Sequence, residues 1–219
     1  DLEDEKIYKY FNIGGTDFVN DRLRADRYEG TDGNLSSNTG TASGASENQN
    51  APDNVNALVV YFSWSRNTEE MTQYIQRQTG ADMIELEPAV PYPEDYSQCG
   101  EVALAERDNN ERPGIANLPE SIEEYNTIFV GYPIWYYTAP MVVGTFLESY
   151  DLSGKTVVPF CTSAGSSVDV SLDFIRAASE NATVLDGFTA NGSNSEIDDA
   201  VDGMINQLNE KCIYRQIGQ

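Results

Sequence analysis

The sequence predicts an α/β fold in which a doubly wound parallel sheet of five strands lies between two layers of helices. Short apolar runs alternate with segments of helical period along most of the chain, as in successive βαβ units. Three of the apolar runs end abruptly in distinctive polar or aromatic loops. Because ligands bind outside the carboxyl ends of the strands in an open parallel sheet, these three loops are the candidate functional segments.

Apolar spacing assigns each element of the predicted sheet. A continuous apolar run predicts a buried strand, strict alternation predicts an edge strand, and apolar residues three or four apart predict a helix. In chain order, the sequence predicts strand 57–62, helix 67–79, an alternating edge strand 81–86, helix 96–107, strand 126–131, a helix opened by Pro140, strand 156–161, a helix through Phe174, Ile175 and Ala178, strand 183–185, and a last helix with the stripe Ile197, Val201, Met204, Ile205 and Leu208.

The first distinctive loop follows strand 57–62 and carries hydroxyl and amide side chains at the start of a helix. A helix N-terminus has unpaired N–H groups and a partial positive charge, so it suits a phosphate. The side chains that can add contacts to this anion are Ser63, Ser65, Arg66, Asn67 and Thr68. The loop lacks a Gly-Lys-Ser/Thr ending and any glycine, which excludes Walker-type and dinucleotide loops. In an alternative interpretation, Asn67 only caps the helix and Glu70 completes a capping box.

Two further loops favour the phosphate interpretation. Residues 131–140 form an aromatic loop after the third strand, and residues 161–167 form a small polar loop with a glycine after the fourth. Beside a phosphate-binding loop, they suit a planar aromatic ring system that carries a phosphate. Alternatives stay open for single residues. Trp135 could pack in the core instead of stacking on the ring, and Cys161 could be a small buried residue that fills space or a redox thiol.

Residues 56–210 resemble a flavodoxin-like domain that binds flavin mononucleotide (FMN). The resemblance rests on three motifs in the family's order: a phosphate loop over 62–68, a ring-flanking loop over 131–136 and a second ring-contact loop over 161–166. It implies a bacterial FMN-binding redox protein with the flavodoxin-like strand order 2-1-3-4-5. The residues it implies for the cofactor are Ser63, Trp64, Ser65, Arg66, Asn67 and Thr68 at the phosphate, Pro133, Ile134, Trp135 and Tyr136 beside the ring, and Thr162, Ser163, Ala164 and Gly165 at the ring's other edge.

Two positions depart from the family's pattern. Arg66 stands where relatives often have glycine, so the loop is expected to be stiffer, or the arginine to contact the phosphate. Tyr137 also stands where relatives often have glycine, and the loop lacks the glycine with which some flavodoxins flip a peptide to stabilise the one-electron state. The second departure weakens the interpretation of the protein as a pure one-electron carrier.

Composition limits the classes of partner. The chain has 219 residues and a net charge of −23, which argues against nucleic acid and anionic membranes as partners and favours solubility or basic docking partners. It has no histidine, and its three cysteines have no C-x-x-C spacing, so a metal site is not expected. No apolar run reaches 18 residues, so no transmembrane segment is expected.

The chain divides into three predicted parts. Residues 1–28 form an N-terminal extension of unknown role, residues 29–56 a polar linker rich in Gly, Ser and Asn, and residues 57–219 the flavodoxin-like domain. Such linkers often tether exported domains to a bacterial cell surface, and the alternative is a cytoplasmic protein. The chain does not begin with Met, as expected of a processed form.

Three functions fit these observations. The first is electron transfer through bound FMN to or from a redox partner protein. The second is an FMN-dependent oxidoreductase that takes hydride from NAD(P)H and reduces a quinone or similar small acceptor. The third is a flavin-free surface module that retains the fold. No catalytic side chain is assigned in any of them.

Overall fold

The computed structural model describes residues 56–190 and 199–208. The predicted N-terminal extension, the linker up to residue 55, Ile197 and Cys212 lie outside these residues. The strands are β1 (Ala57–Tyr61), β2 (Asp82–Glu85), β3 (Thr127–Pro133), β4 (Thr156–Thr162), β5 (Thr183–Val184) and β6 (Phe188–Thr189). The helices are α1 (Asn67–Thr79), α2 (Tyr96–Asp108), α3 (Met141–Glu148), α4 (Asp169–Ala178) and α5 (199–208).

The strands form one parallel sheet in the order β2-β1-β3-β4-β5, with β6 also paired to β4. This order confirms the predicted fold. In the central pairs, Tyr61 aligns with Gly131, and Pro133 aligns with Thr162. The three loops singled out from the sequence therefore leave adjacent strands at the same edge of the sheet.

Helices cover both faces of the sheet, which gives the predicted three layers. Along β1, Leu58 and Val60 belong to one buried cluster with residues of α2, α3 and α4, whereas Ala57 and Val59 belong to a second cluster with residues of α1 and α5. This alternation is the period of two that a strand requires. Every helix within the described residues is too short or too polar to span a lipid bilayer.

The last strand differs from the prediction because it is broken into β5 and β6. The register shifts by one residue between the pairs Val157–Val184 and Phe160–Phe188, which is a β-bulge. Pro159 lies in β4 opposite the bulge and has no N–H to donate to a neighbouring strand. Gly187 has φ +66°, and a Cβ there would collide with the carbonyl oxygen of Pro159, so the bulge needs glycine.

Candidate functional site

The candidate site lies at the carboxyl edge of β1, β3 and β4. The amide of Phe62 donates to the carbonyl of Gly131 at 2.9 Å, and the amide of Ile134 donates to the carbonyl of Thr162 at 2.9 Å. These bonds extend the sheet pairing beyond the ends of β1 and β3. The three loops therefore begin from a rigid common edge, as the sheet topology predicts.

The start of α1 has no side-chain cap. Arg66 occupies the N-cap position with φ 67°, a left-handed conformation, and its side chain makes no capping hydrogen bond. The capping-box alternative is therefore wrong, because Asn67 is already the first residue of the helix. Glycine adopts such a left-handed conformation at less steric cost than arginine does. An open helix N-terminus of this kind is the feature that binds phosphate.

The Arg66 side chain points into solvent rather than into the loop. It is 85% exposed and lies 3.4 Å from the carboxylate of Glu69. Exposed pairs of this kind contribute little to stability. The carboxylates of Glu69 and Glu70 in the first turn interact favourably with the positive end of the helix dipole but repel an incoming phosphate. The positive charge of Arg66 offsets part of that repulsion.

Ser63 supplies an unusual buried hydroxyl. Within the described residues, its Oγ is buried and has no hydrogen-bond partner. An unsatisfied buried hydroxyl costs about 1–3 kcal/mol, so such groups generally serve a ligand or a water molecule. Its place between β1 and the open N-terminus of α1 is where a phosphate oxygen would be expected.

Trp64 connects the first loop by a hydrogen bond to the segment that precedes α2. Its Nε1 donates to the carbonyl of Pro93 at 3.1 Å, and its ring lies 6.4 Å from that of Tyr96. The remaining predicted ligands of this loop, Ser65 and Asn67, are exposed. Trp64 therefore shapes one wall of the loop, and two polar side chains remain accessible beside it.

Thr68 joins the first loop to the third. Its hydroxyl lies 3.0 Å from that of Thr162, and both residues are buried. Either oxygen can be the donor, so one hydroxyl of the pair retains a proton for another acceptor. The pair fixes the distance between the phosphate loop and the loop that follows β4.

The aromatic loop after β3 is a tight two-residue turn. Trp135 and Thr138 exchange backbone hydrogen bonds of 2.9 and 3.0 Å. Between them, Tyr136 and Tyr137 have φ of 48° and 65°. Two consecutive positive φ values define a type I′ turn, which normally contains Asn-Gly or Gly-Gly. The missing glycine noted in the sequence therefore leaves two tyrosines in a strained backbone.

The three aromatic residues of this loop have different surroundings. Trp135 is 4% exposed and packs edge-on against the rings of Phe62 and Tyr92, with centroid distances of 5.3 and 5.1 Å. Tyr136 lies against α2, where the guanidinium of Arg107 is 5.5 Å from its ring centroid. Tyr137 is 53% exposed. The structure thus supports packing for Trp135 and presents Tyr137 as the accessible aromatic surface.

Tyr92 is partly buried and packs against the core cluster on this face of the sheet. Its hydroxyl donates to the carboxylate of Glu106 at 2.6 Å, and its ring contacts Phe62 and Trp135. Burial raises the pKa of Glu106, although the bond from Tyr92 opposes that rise. Burial also raises the pKa of Cys99 to about 12, so this thiol is not a nucleophile at neutral pH.

The third loop is held by its own serine. Ser163 Oγ accepts hydrogen bonds from the amides of Gly165 and Ser166 at 3.1 and 2.7 Å. Ala164 and Gly165 are exposed, and a Cβ added at Gly165 would meet no atom within 4 Å. Cys161 is buried, and desolvation raises its pKa to about 12, which favours the filler interpretation over a redox thiol. The loop thus offers backbone groups on an open surface.

Two residues of α2 that the sequence patterns do not single out, Arg107 and Gly100, lie against the aromatic turn. Arg107 Nη1 donates to the carbonyl of Tyr136 at 3.1 Å, and a Cβ at Gly100 would lie 2.9 Å from the Tyr136 hydroxyl oxygen. A glycine inside a helical pattern is a recognisable signal of close contact. Nothing in the local sequence indicates which residue makes that contact. Within the described part of the chain, no cluster of carboxylates and cysteines could hold a metal ion.

The family model described as flavodoxin matches residues 56–207. The chain belongs to the flavodoxin family. A search of curated proteins gives no match. Membership in this family supports a redox function that depends on a bound flavin.

Solved structures agree with this assignment. A proposed flavoprotein from Bacteroides eggerthii is 32% identical with a TM-score of 0.60, and the alignment covers 68% of this chain and 97% of that one. A proposed flavoprotein from Bacteroides uniformis is 30% identical with a TM-score of 0.61, covering 69% and 98%. A flavoprotein from Lactobacillus acidophilus in complex with FMN is 21% identical with a TM-score of 0.57, and the alignment covers 67% of this chain and 98% of that one. At this level of identity, the likeness shows that the two proteins share the fold and nothing more.

Proposed function

We propose that this flavodoxin-family protein binds FMN and transfers electrons to or from a redox partner protein. The observation that carries the proposal is the buried Ser63 Oγ, which has no partner in the part of the chain that the structure describes and lies before the N-terminus of α1, where Arg66 makes no side-chain cap. This arrangement supplies donors for a phosphate monoester without a lysine. A structural neighbour in complex with FMN supports the same ligand.

The residues of the chain would bind and orient the flavin. Ser63, Ser65, Asn67 and Thr68 would donate to the phosphate, together with the backbone amides of the first turn of α1. The turn after β3 would flank one side of the ring, with Tyr137 as its exposed aromatic surface. Bound flavin supplies the redox chemistry, since it accepts and donates one or two electrons.

The third loop would approach the ring edge through its backbone. Ser163 fixes the turn by accepting two amide hydrogen bonds, and Gly165 leaves open space where any other residue would place a Cβ. Close approach of a planar ring to backbone groups is a role that glycine serves. We therefore assign the backbone of residues 162–165 to the edge of the ring.

The acidity of the protein supports a protein partner with a basic surface. The net charge of −23 gives a long-range field that accelerates association with a cationic partner and is screened by salt. Near the carboxyl edge of the sheet, Glu94, Asp95 and Asp169 are exposed. Electron transfer with such a partner should therefore slow as ionic strength rises.

One observation favours a second function, the NAD(P)H-dependent oxidoreductase. The turn after β3 contains two bulky tyrosines instead of a glycine, and the carbonyl of Tyr136 is bonded to Arg107. A fixed turn of this kind does not offer the peptide flip that stabilises the one-electron state in some flavodoxins. Tyr137 would then form part of a pocket for a small acceptor.

A comparison of FMN with riboflavin tests the phosphate assignment. Ser63→Ala should weaken FMN binding roughly tenfold or more, because a hydrogen bond to a charged group contributes about 1.5–3 kcal/mol. The affinity of the Ser63→Ala variant for riboflavin, which has no phosphate, should equal that of the wild type. Ser179→Ala is the matched control, since Ser179 Oγ is also buried without a partner among the described residues but lies after α4.

Both variants remove an unsatisfied hydroxyl, so neither should destabilise the FMN-free protein. Equal FMN affinities for the two variants and the wild type would contradict the phosphate assignment. If the wild-type protein binds no FMN at all, the third interpretation, a flavin-free module, is correct.

Anaerobic reduction of the FMN complex separates the two redox functions. A carrier should be reduced by dithionite but only negligibly by NADH or NADPH. Rapid bleaching by either nicotinamide, followed by reoxidation with a quinone, would instead establish the oxidoreductase.

A further inference from the structure

The tip of the aromatic turn requires support from the rest of the fold. Tyr136 and Tyr137 have φ of 48° and 65°, which brings the Cβ of each residue close to a backbone carbonyl. Such conformations persist only where surrounding contacts maintain them, and they concentrate at ligand sites. The contacts that maintain this turn are therefore of functional interest.

Arg107, near the carboxyl end of α2, provides two of these contacts. Its Nη1 donates to the carbonyl oxygen of Tyr136 at 3.1 Å, and its guanidinium lies 5.5 Å from the Tyr136 ring centroid. Gly100, two turns earlier, leaves the space that the Tyr136 hydroxyl occupies. Both the backbone and the ring of Tyr136 are thus held on the surface of α2.

Asp108 fixes the direction of the arginine. Arg107 Nε and Nη2 donate to Asp108 Oδ1 at 2.9 and 2.6 Å, which leaves Nη1 directed at the Tyr136 carbonyl. A guanidinium has a rigid planar fork, so binding two of its donors determines where the third points. Only about a third of the Arg107 side chain is exposed, which limits its other orientations.

The bond to Arg107 has a consequence for a flavin beside this turn. It keeps the carbonyl of Tyr136 oriented toward α2. Reduction of a flavin adds a hydrogen to a ring nitrogen, which changes that nitrogen from an acceptor to a donor. A carbonyl that could turn toward the ring would accept from this donor and would stabilise the reduced form.

We propose that Arg107 is a positioning residue that maintains the left-handed turn and withholds the Tyr136 carbonyl from the flavin ring. The proposal rests on the proposed function, because it requires the ring to lie beside this turn. It predicts that the wild-type protein holds FMN at a lower reduction potential than a variant in which this carbonyl is released.

The experiment compares Arg107→Met with Arg107→Lys and Arg112→Met. Methionine keeps an unbranched apolar stem but has no donor, whereas lysine can still donate to the carbonyl and lie over the ring. Arg112 is the matched control, because its guanidinium also lies 5.5 Å from an aromatic centroid, that of Phe174, and is paired with Glu148.

Two measurements are made on each variant. The first is amide hydrogen exchange of Trp135 and Thr138 in the FMN-free protein, because these amides form the two hydrogen bonds of the turn. The second is the midpoint potential of bound FMN. Arg107→Met should accelerate both amides at least tenfold and raise the potential of the first electron by about 59 mV, which corresponds to a tenfold change in equilibrium. Arg107→Lys should restore most of both values, and Arg112→Met should change neither.

Each result decides a part of the proposal. Unchanged exchange in Arg107→Met would overturn the claim that Arg107 maintains the turn. Accelerated exchange with an unchanged potential would overturn the claim about the carbonyl. If the wild-type protein binds no FMN, the proposed function fails and the claim about the flavin fails with it. The exchange rates of the FMN-free protein still decide whether Arg107 positions the turn.

Discussion

Gly165 permits a test in which stability and flavin affinity are expected to change in opposite directions. A Cβ at Gly165 would meet no atom within 4 Å, and the φ of Gly165 is not in the positive range that requires glycine. Gly165→Ala should therefore raise the free energy of unfolding of the FMN-free protein by about 0.4–1 kcal/mol, because alanine restricts the unfolded chain more than glycine does. For a protein of this size, that is an increase in Tm of roughly 1–4 °C.

The same substitution should weaken FMN binding. If the ring edge approaches the backbone at residue 165, an added methyl group would have to be accommodated in the complex but not in the free protein. Overpacking of this kind costs about 1–3 kcal/mol, which corresponds to a loss of affinity of roughly 5- to 150-fold. The loss should be similar for FMN and riboflavin, because the affected contact is with the ring and not with the phosphate.

Gly203→Ala provides the matched control. Gly203 is in α5, is exposed, and likewise has open space around an added Cβ. Alanine in a helix interior is favoured over glycine by about 0.8–1 kcal/mol, so this variant should also be more stable. Thermal unfolding of the FMN-free proteins and fluorescence titration with FMN give both quantities. Equal flavin affinities for Gly165→Ala and Gly203→Ala would refute the placement of residue 165 beside the ring.

Two further predictions follow from buried polar groups. Thr68→Val should lower the free energy of unfolding by about 1–3 kcal/mol in denaturant titrations, because it leaves the buried Thr162 hydroxyl without its partner. The double variant with Thr68→Val and Thr162→Val should be closer in stability to the wild type. A double variant as unstable as the sum of its single changes would contradict this coupling. The raised pKa of Glu106 means that the folded protein binds a proton more tightly there than the unfolded chain does, so the stability this proton contributes is present at low pH and is lost as pH rises through the raised value. Glu106→Gln should remove this decline from the pH dependence of the free energy of unfolding, and an unchanged pH profile would show that Glu106 does not cause it.

Periodicity predicted the framework of this protein well because it reports local burial. The bounds of α1 agree with the prediction, and those of α2 agree to within one residue. The edge strand β2 (Asp82–Glu85) lies within the alternating residues 81–86 that predicted it. The break between β5 and β6 was not predicted, because it depends on contact between Gly187 and Pro159, which only the paired strands bring together.

The candidate site was predicted as three loops but not as a set of side-chain directions. A strand that ends in a distinctive loop places that loop at the carboxyl edge of a parallel sheet, so the sequence could determine where the loops meet. It could not determine that Trp135 faces Phe62 and Tyr92 while Tyr137 faces outward. The I′ turn that separates these two rings requires φ values that no local preference of tyrosine predicts.

The sequence by itself determined the fold class, the strand order through the family's motifs, and the position of the phosphate loop at a helix N-terminus. Each of these depends on residue type and spacing within a short segment. The tertiary structure decided that the Ser63 hydroxyl is buried without a partner among residues 56–190 and 199–208, that Thr68 pairs with Thr162, and that Arg107 bonds to the aromatic turn. These features depend on groups distant in sequence whose distances and burial are set only when the helices pack against the sheet.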